Sequence, residues 1–168
     1  MSDSVITYRY ENLPDDQPID LELTKPGHYR IELAGEGVEV NIKGAFQAKE
    51  QETVEVQVQI AHLAQHTTSN TLLRGVASDQ AQLKLIGTIR VEPSAKQTNA
   101  FLTENILLLN EGARADAIPN LEIQTDEVKC SHAATVSSIP EEQLFYLQSR
   151  GLNLQTAQDL IVTGFLQL

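Results

Sequence analysis

Between about Tyr29 and Val136 the chain alternates apolar and polar residues in short runs, each closed by Gly, Pro, Asn or Asp. Val54, Val56, Val58 and Ile60 stand against Glu55, Gln57 and Gln59, and Val38, Val40 and Ile42 against Glu39, Asn41 and Lys43. Successive side chains on a strand point to opposite faces, so this alternation predicts strands with one buried face. Leu83, Leu85, Ile89 and Val91 keep one parity around Gly87, and further runs occupy 101–109, 117–123 and 128–136. Within 101–109, Ile106 and Leu108 share one face while Leu107 and Leu109 share the other. A strand apolar on both sides is a buried one. The runs recur roughly every dozen residues, which suits two all-β architectures: a jelly-roll or cupin sandwich, or a parallel β-helix of stacked coils. Aliphatics at stacked-coil spacing, and the lack of the Asn-Gly and Asp-Gly pairs that mark tight hairpins, favour the helix. Pattern alone leaves both open.

The last thirty or so residues change period. Ser138-Ile139-Pro140-Glu141 reads as a capping box with Ser138 as N-cap, followed by a helix whose apolar side includes Leu144 and Leu147. Gly151 suits a left-handed cap at its end. A second helix is expected from Asn153 or Leu154 to Thr163, with Ala157, Leu160 and Ile161 on one side. The stretch before Pro26, holding Pro14, Asp15, Asp16 and Pro18, reads as one strand plus a loop. Residues 1–137 thus form a mainly β domain and 138–168 a short C-terminal helical segment.

Composition narrows the function. Of 168 residues, 23 are Asp or Glu and 12 are Lys or Arg, giving a formal net charge of −11. An acidic surface without a basic cluster repels phosphate backbones, so nucleic acid is not an expected partner. No apolar run is long enough to span a bilayer, and 1–5 carry no secretory signal pattern. The one cysteine cannot form an intramolecular disulfide. A cytoplasmic protein without a membrane partner is the expectation.

That cysteine is also the main chemical lead. Cys130 and His132 fall two places apart in the predicted strand 128–136, so both side chains point the same way, roughly 6–7 Å apart at Cα. Thiolate and imidazole both bind iron or zinc, which makes the pair half of a metal site. The bland alternative is a buried, inert Cys130 and a hydrogen-bonded His132. Asp126 and Glu127 could orient His132, although a solvated turn explains both. His62 and His66 share a parity with Ala64 between them, but lack the tight His-x-His and following acid of a cupin site, and read as structural. Glu111-Gly112-Ala113-Arg114 reads as a turn. There is no phosphate-binding Gly-rich Lys-Ser/Thr loop, nucleophile elbow or catalytic triad, so the chain is not expected to be an enzyme or to hydrolyse ATP.

The order of these residues resembles the SufB/SufD family, components of a cytosolic iron–sulfur cluster assembly system. The likeness is carried by 62–69, by Leu73-Arg74-Gly75-Val76, by Gly87 with Ile89, and by Leu107-Leu108-Leu109. It continues through 113–123, through Asp126-Glu127-Val128-Lys129-Cys130-Ser131-His132-Ala133-Ala134-Thr135, and through 142–152 with Gly164-Phe165. The resemblance implies a right-handed parallel β-helix that pairs through its C-terminal coils, with a second copy or with a SufB-like partner. It also implies a SufC-like ATPase gripping the C-terminal helices. Cys130 and His132 match the Cys-x-His of the SufD type, implicated near the dimer seam in receiving iron or a transient, nascent iron–sulfur cluster. Two ligands from one strand cannot complete a tetrahedral site, so a second molecule bringing more gives the pair a reason to dimerise. Departures matter. Family members are usually longer, with an N-terminal helical region; the SufB type has a further cysteine upstream, absent around Gly112-Ala113; and the helices end soon after Gly164-Phe165. A structural homodimerisation module without cluster chemistry, and a cupin-like binder of a small ligand, are the competing expectations.

Overall fold

The computed structural model describes residues 4–14 and 17–167, so Asp15 and Asp16 of the predicted N-terminal loop, and Leu168, lie outside the described residues. The strands are β1 (Val5–Tyr10), β2 (Ile19–Leu23), β3 (His28–Leu33), β4 (Glu39–Ala48), β5 (Thr53–His62), β6 (Thr68–Ala77), β7 (Gln82–Val91), β8 (Thr98–Leu108), β9 (Arg114–Ile123) and β10 (Val128–Ser138). Two five-stranded sheets result, ordered β1-β3-β5-β7-β9 and β10-β8-β6-β4-β2. Every pairing is parallel and joins a strand to the one two places on. Each coil therefore holds one strand from each sheet, and paired residues lie roughly 30 positions apart, a solenoid repeat. This is the parallel β-helix; a sandwich would need hairpin-linked antiparallel strands.

The corners explain why tight-hairpin dipeptides are missing. Gly37, His66 and Gln97 stack at one corner with φ of 73°, 59° and 57°, and Glu50 and Asp79 at the other with 58° and 59°. A left-handed conformation costs a non-glycine residue about 1–2 kcal/mol. Hydrogen bonds between successive coils offset that cost: Gly37 N–H donates to Gln65 O at 3.1 Å, His66 N–H to Lys96 O at 3.0 Å and Gln97 N–H to Glu127 O at 2.6 Å. At the second corner a Cβ on Gly112 would stand 2.3 Å from Asp79 O, so the close approach of the two coils there requires glycine.

Parallel register turns the period-two pattern into columns running through the interior. Ile31, Ile60 and Ile89 stack in one, all fully buried, and Leu121 of β9 continues it. Each such aliphatic contributes about 1.5–3 kcal/mol by leaving water. Small residues make room for large ones, both across the two sheets and along one strand. A Cβ on Gly75 would meet Leu83 Cδ2 at 2.3 Å, and one on Gly44 the Phe46 ring at 2.8 Å.

Three expectations change. The N-terminal stretch forms two strands, because Leu21 and Leu23 stack in the interior on Ile42 and Gly44 of β4. A strand not predicted, β6, fills the gap before Leu83, so the strand-to-strand step is nearer roughly 15 residues. The capping box does not form: β10 runs on to Ser138 beside Leu108, and α1 (Glu141–Ser149) starts from Pro140 without a side-chain cap. Gly151 does close α1, with φ of 95° and its N–H donating to Gln148 O at 2.9 Å. In α2 (Leu154–Leu166) Asn153 is the N-cap, accepting from Thr156 N–H at 2.9 Å, and Ala157 is the buried contact. Arg74 of β6 ties down the end of α2, donating to Phe165 O at 2.7 Å and Gln167 O at 2.6 Å while lying over the Phe165 ring.

Replacing Ile60 by Ala removes the middle of a continuous column, and urea unfolding followed by circular dichroism should show a loss of about 2–5 kcal/mol. A loss below about 1 kcal/mol would mean that the coils do not share one packed core.

Candidate functional site

The two predicted site residues sit on the outermost coil. Cys130 continues the column Val40–Ser69–Ala100, and His132 the column Ile42–Thr71–Leu102. Both therefore project from the inward side of β10, on one face as their spacing predicts. What differs from an ordinary interior position is the lack of a coil above. Among the described residues β9 and β10 each pair on one side only, so the inner row of the final coil is open to solvent. Cys130 is half-buried against the core cluster, while His132, Ala134 and Val136 further along the row are exposed. Opposite them on β9, Leu121 and Ile123 of the inner row are exposed by 36% and 40%. Equivalent positions one coil down, Ile89 and Val91, are fully buried.

Burial raises the Cys130 thiol above its ordinary value, and the Ala100 backbone offsets this only in part. The sulfur is therefore protonated at neutral pH, and a metal would have to displace the proton. The acids preceding the site sit in the corner as expected. Glu127 is engaged by Lys96 at 2.8 Å, a half-exposed ion pair of little energetic weight. Among the described residues no three His, Cys, Asp or Glu side chains converge on a point that could hold a metal. The arrangement offers two donors and an uncovered apolar rim.

His62 takes the structural role expected of it, at the end of β5. It is fully buried between Thr67 Oγ1 at 2.8 Å from Nδ1 and Ser69 Oγ at 2.9 Å from Nε2. Thr67 donates to Ala64 O and Thr98 to Ala95 O, so Thr67 accepts from an Nδ1–H and Ser69 donates to Nε2. Burial pushes the ring down to about 4, which keeps it neutral at pH 7. His66 is not on the same strand; it occupies the left-handed corner position, 3.9 Å from Glu36.

Sequence reasoning passed over one buried group. Glu104 lies in the inner row of β8 between Leu102 and Ile106 and is fully buried. A glutamate sharing the parity of Ala100, Leu102 and Ile106 was the available signal. The helices carry a separate apolar surface: Phe145 is 74% exposed, with Tyr146, Leu154 and Leu160 about half exposed around it.

Comparison with known proteins gives a consistent answer. A sequence model of the family described as "SUF system FeS cluster assembly, SufBD core domain" matches residues 25–165. The iron-sulfur cluster assembly protein SufD of Escherichia coli is 37% identical over 134 residues, covering 80% of this chain and 32% of that protein. SufD of Bacillus subtilis is 34% identical over 134 residues, covering 80% and 31%. An Arabidopsis thaliana protein, "Protein ABCI7, chloroplastic", is 43% identical over 90 residues, covering 54% and 19%. The chain thus spans about a third or less of the length of these curated relatives. No helix among the described residues is long and apolar enough to cross a membrane.

The raised thiol is directly measurable. Alkylation of Cys130 by iodoacetamide should stay slow through pH 8 and climb only above the range of a free cysteine peptide measured alongside. A rate matching that peptide would show an unburied sulfur.

Proposed function

The chain belongs to the SufB/SufD family of iron–sulfur cluster assembly proteins, and from that membership we propose that it is a SufD-like scaffold whose last coil is completed by a partner. The observation that carries this reading is the open end: an inner row with Cys130, His132, Leu121, Ile123 and Val136 left uncovered between two unpaired strand edges. Unpaired edges are templates for strand addition. A second β-helix set against this end would extend both sheets, bury the apolar rim and add donors beside Cys130 and His132. Two donors from each side make four, the number that a single tetrahedral iron takes, or that a whole iron–sulfur cluster takes from protein. The partner is a SufB-like protein or a second copy of this chain. Iron or a transient cluster is the cargo; the residues here supply thiolate and imidazole, orient them by their shared strand, and reduce water access once covered.

The exposed Phe145, Tyr146, Leu154 and Leu160 suit a SufC-like ATPase as a further partner. No residue here is assigned a catalytic step, and the scaffold works in the cytoplasm in this reading. A second reading, a dimerising module without cluster chemistry, draws on the protonated thiol and the lack of a third converging donor.

Anaerobic reconstitution with ferrous iron and sulfide, read by visible absorbance on a size-resolved peak, separates the two. The scaffold reading expects a brown dimer, alone or with a SufB-like protein, and loss of most absorbance in Cys130→Ser and His132→Ala. A stable dimer with no iron, or with iron unchanged in Cys130→Ser, supports the module instead.

A further inference from the structure

We propose that Glu104 makes the order of the final coil pH-sensitive, packing as a neutral acid and loosening the β8–β10 end of the helix when it ionises. The geometry is unusual for a carboxyl. Glu104 is fully buried in the inner row of β8, and neither oxygen has a hydrogen-bond partner. Its carboxyl lies against Gly87 of the opposite sheet; a Cβ on Gly87 would stand 2.6 Å from Glu104 Oε1, so the glycine leaves the space the carboxyl fills.

No counter-charge faces it. The inner rows are Ser69, Thr71, Leu73 and Gly75 on β6, Leu83, Leu85, Gly87, Ile89 and Val91 on β7, and Ala115, Ala117, Pro119, Leu121 and Ile123 on β9. None of these ionises. On β10 the titratable inner residues are Cys130 and His132, and no hydrogen bond or ion pair joins either to Glu104 among the described residues. A buried ion without a partner is far costlier than a neutral acid in the same place.

Burial accordingly raises Glu104 to about 7, and the Gly87 backbone counters this only weakly. The closed form then binds a proton that an opened, solvated form releases near the ordinary glutamate value. Opening is unaffected by this group at low pH, becomes progressively easier as pH rises between those two values, and stays easier above about 7. The shortest way for water to reach an ionised Glu104 is through the open end. β10 lies directly beside β8, with Ala134 opposite Glu104, and no strand among the described residues pairs with the far edge of β10. Local opening of that strand is therefore the expected response, rather than disorder at the well-stacked N-terminal coils.

Lys129 on β10 gives trypsin a reporter of opening, and cutting tracks the open population when reclosing outpaces cleavage. Wild type and Glu104→Gln, which is neutral at every pH, are compared at the same pH so that protease activity cancels. The wild-type to variant ratio of cleavage after Lys129, read by mass spectrometry, should be about tenfold larger at pH 8.5 than at pH 6, because only the wild type releases a proton on opening. A wild-type to variant ratio that is the same at both pH values overturns the proposal. A carbon-13 titration of the assigned Glu104 side-chain carboxyl in wild type needs no variant. A midpoint near neutrality supports the proposal, and one in the ordinary glutamate range overturns it even if Glu104→Gln fails to fold.

Discussion

A coil of a parallel β-helix buries its inner row only when another coil lies on top of it. That single constraint organises this molecule. Ile31, Ile60 and Ile89 vanish from solvent because each is roofed by the next, and Leu121, the next member of the same column, is left partly bare. Hydrogen bonding follows the same rule, since each strand satisfies one side through the coil below and the other through the coil above. At β9 and β10 the second side has no taker. A solenoid end is thus both an unfilled hydrophobic column and an unfilled ladder, and a second solenoid answers both at once.

The Cys130–His132 pair takes its exposure from that position. Cys130 stands at the end of a column that begins with Ile19 and passes through the buried Val40, Ser69 and Ala100. One coil lower, the same parity would have sealed the sulfur among aliphatics, as it seals Ala100. On the last coil it leaves the thiol half-buried: shielded enough to stay protonated, open enough to be reached. His132, one step further out, is exposed.

Much of the fold was legible in the alternation. Val54 to Ile60 and Leu83 to Val91 announced themselves as strands because one face of each is wholly interior. Choosing a β-helix over a sandwich was not possible from alternation, since both bury every second residue; the family resemblance supplied that step and parallel pairing bears it out. β6 escaped notice because its inner row is Ser69, Thr71, Leu73, Gly75 and Ala77, where polar and small residues interrupt the hydrophobic signal. The interruptions have physical reasons: Ser69 bonds His62, and Gly75 makes room for Leu83. The capping box at Ser138 misled because local chemistry favoured a helix start while pairing with Leu108 held the residue in a strand. At the site, the shared face of Cys130 and His132 followed from spacing. Their exposure did not, because no local pattern says which coil is the last. Glu104 was hidden for the opposite reason: a single acid among apolar residues reads as an outward position until register shows it facing in.

Under the proposed function, a partner completes the helix at the β9–β10 end. Hydrogen–deuterium exchange on the protein with and without a SufB-like protein, and at low and high concentration of the chain itself, tests it most directly. Slowed exchange across 114–123 and 128–138, with β1 and β2 unchanged, is the predicted footprint. Protection confined to β1 and β2 or to the helices, with the final coil exchanging as before, would contradict it.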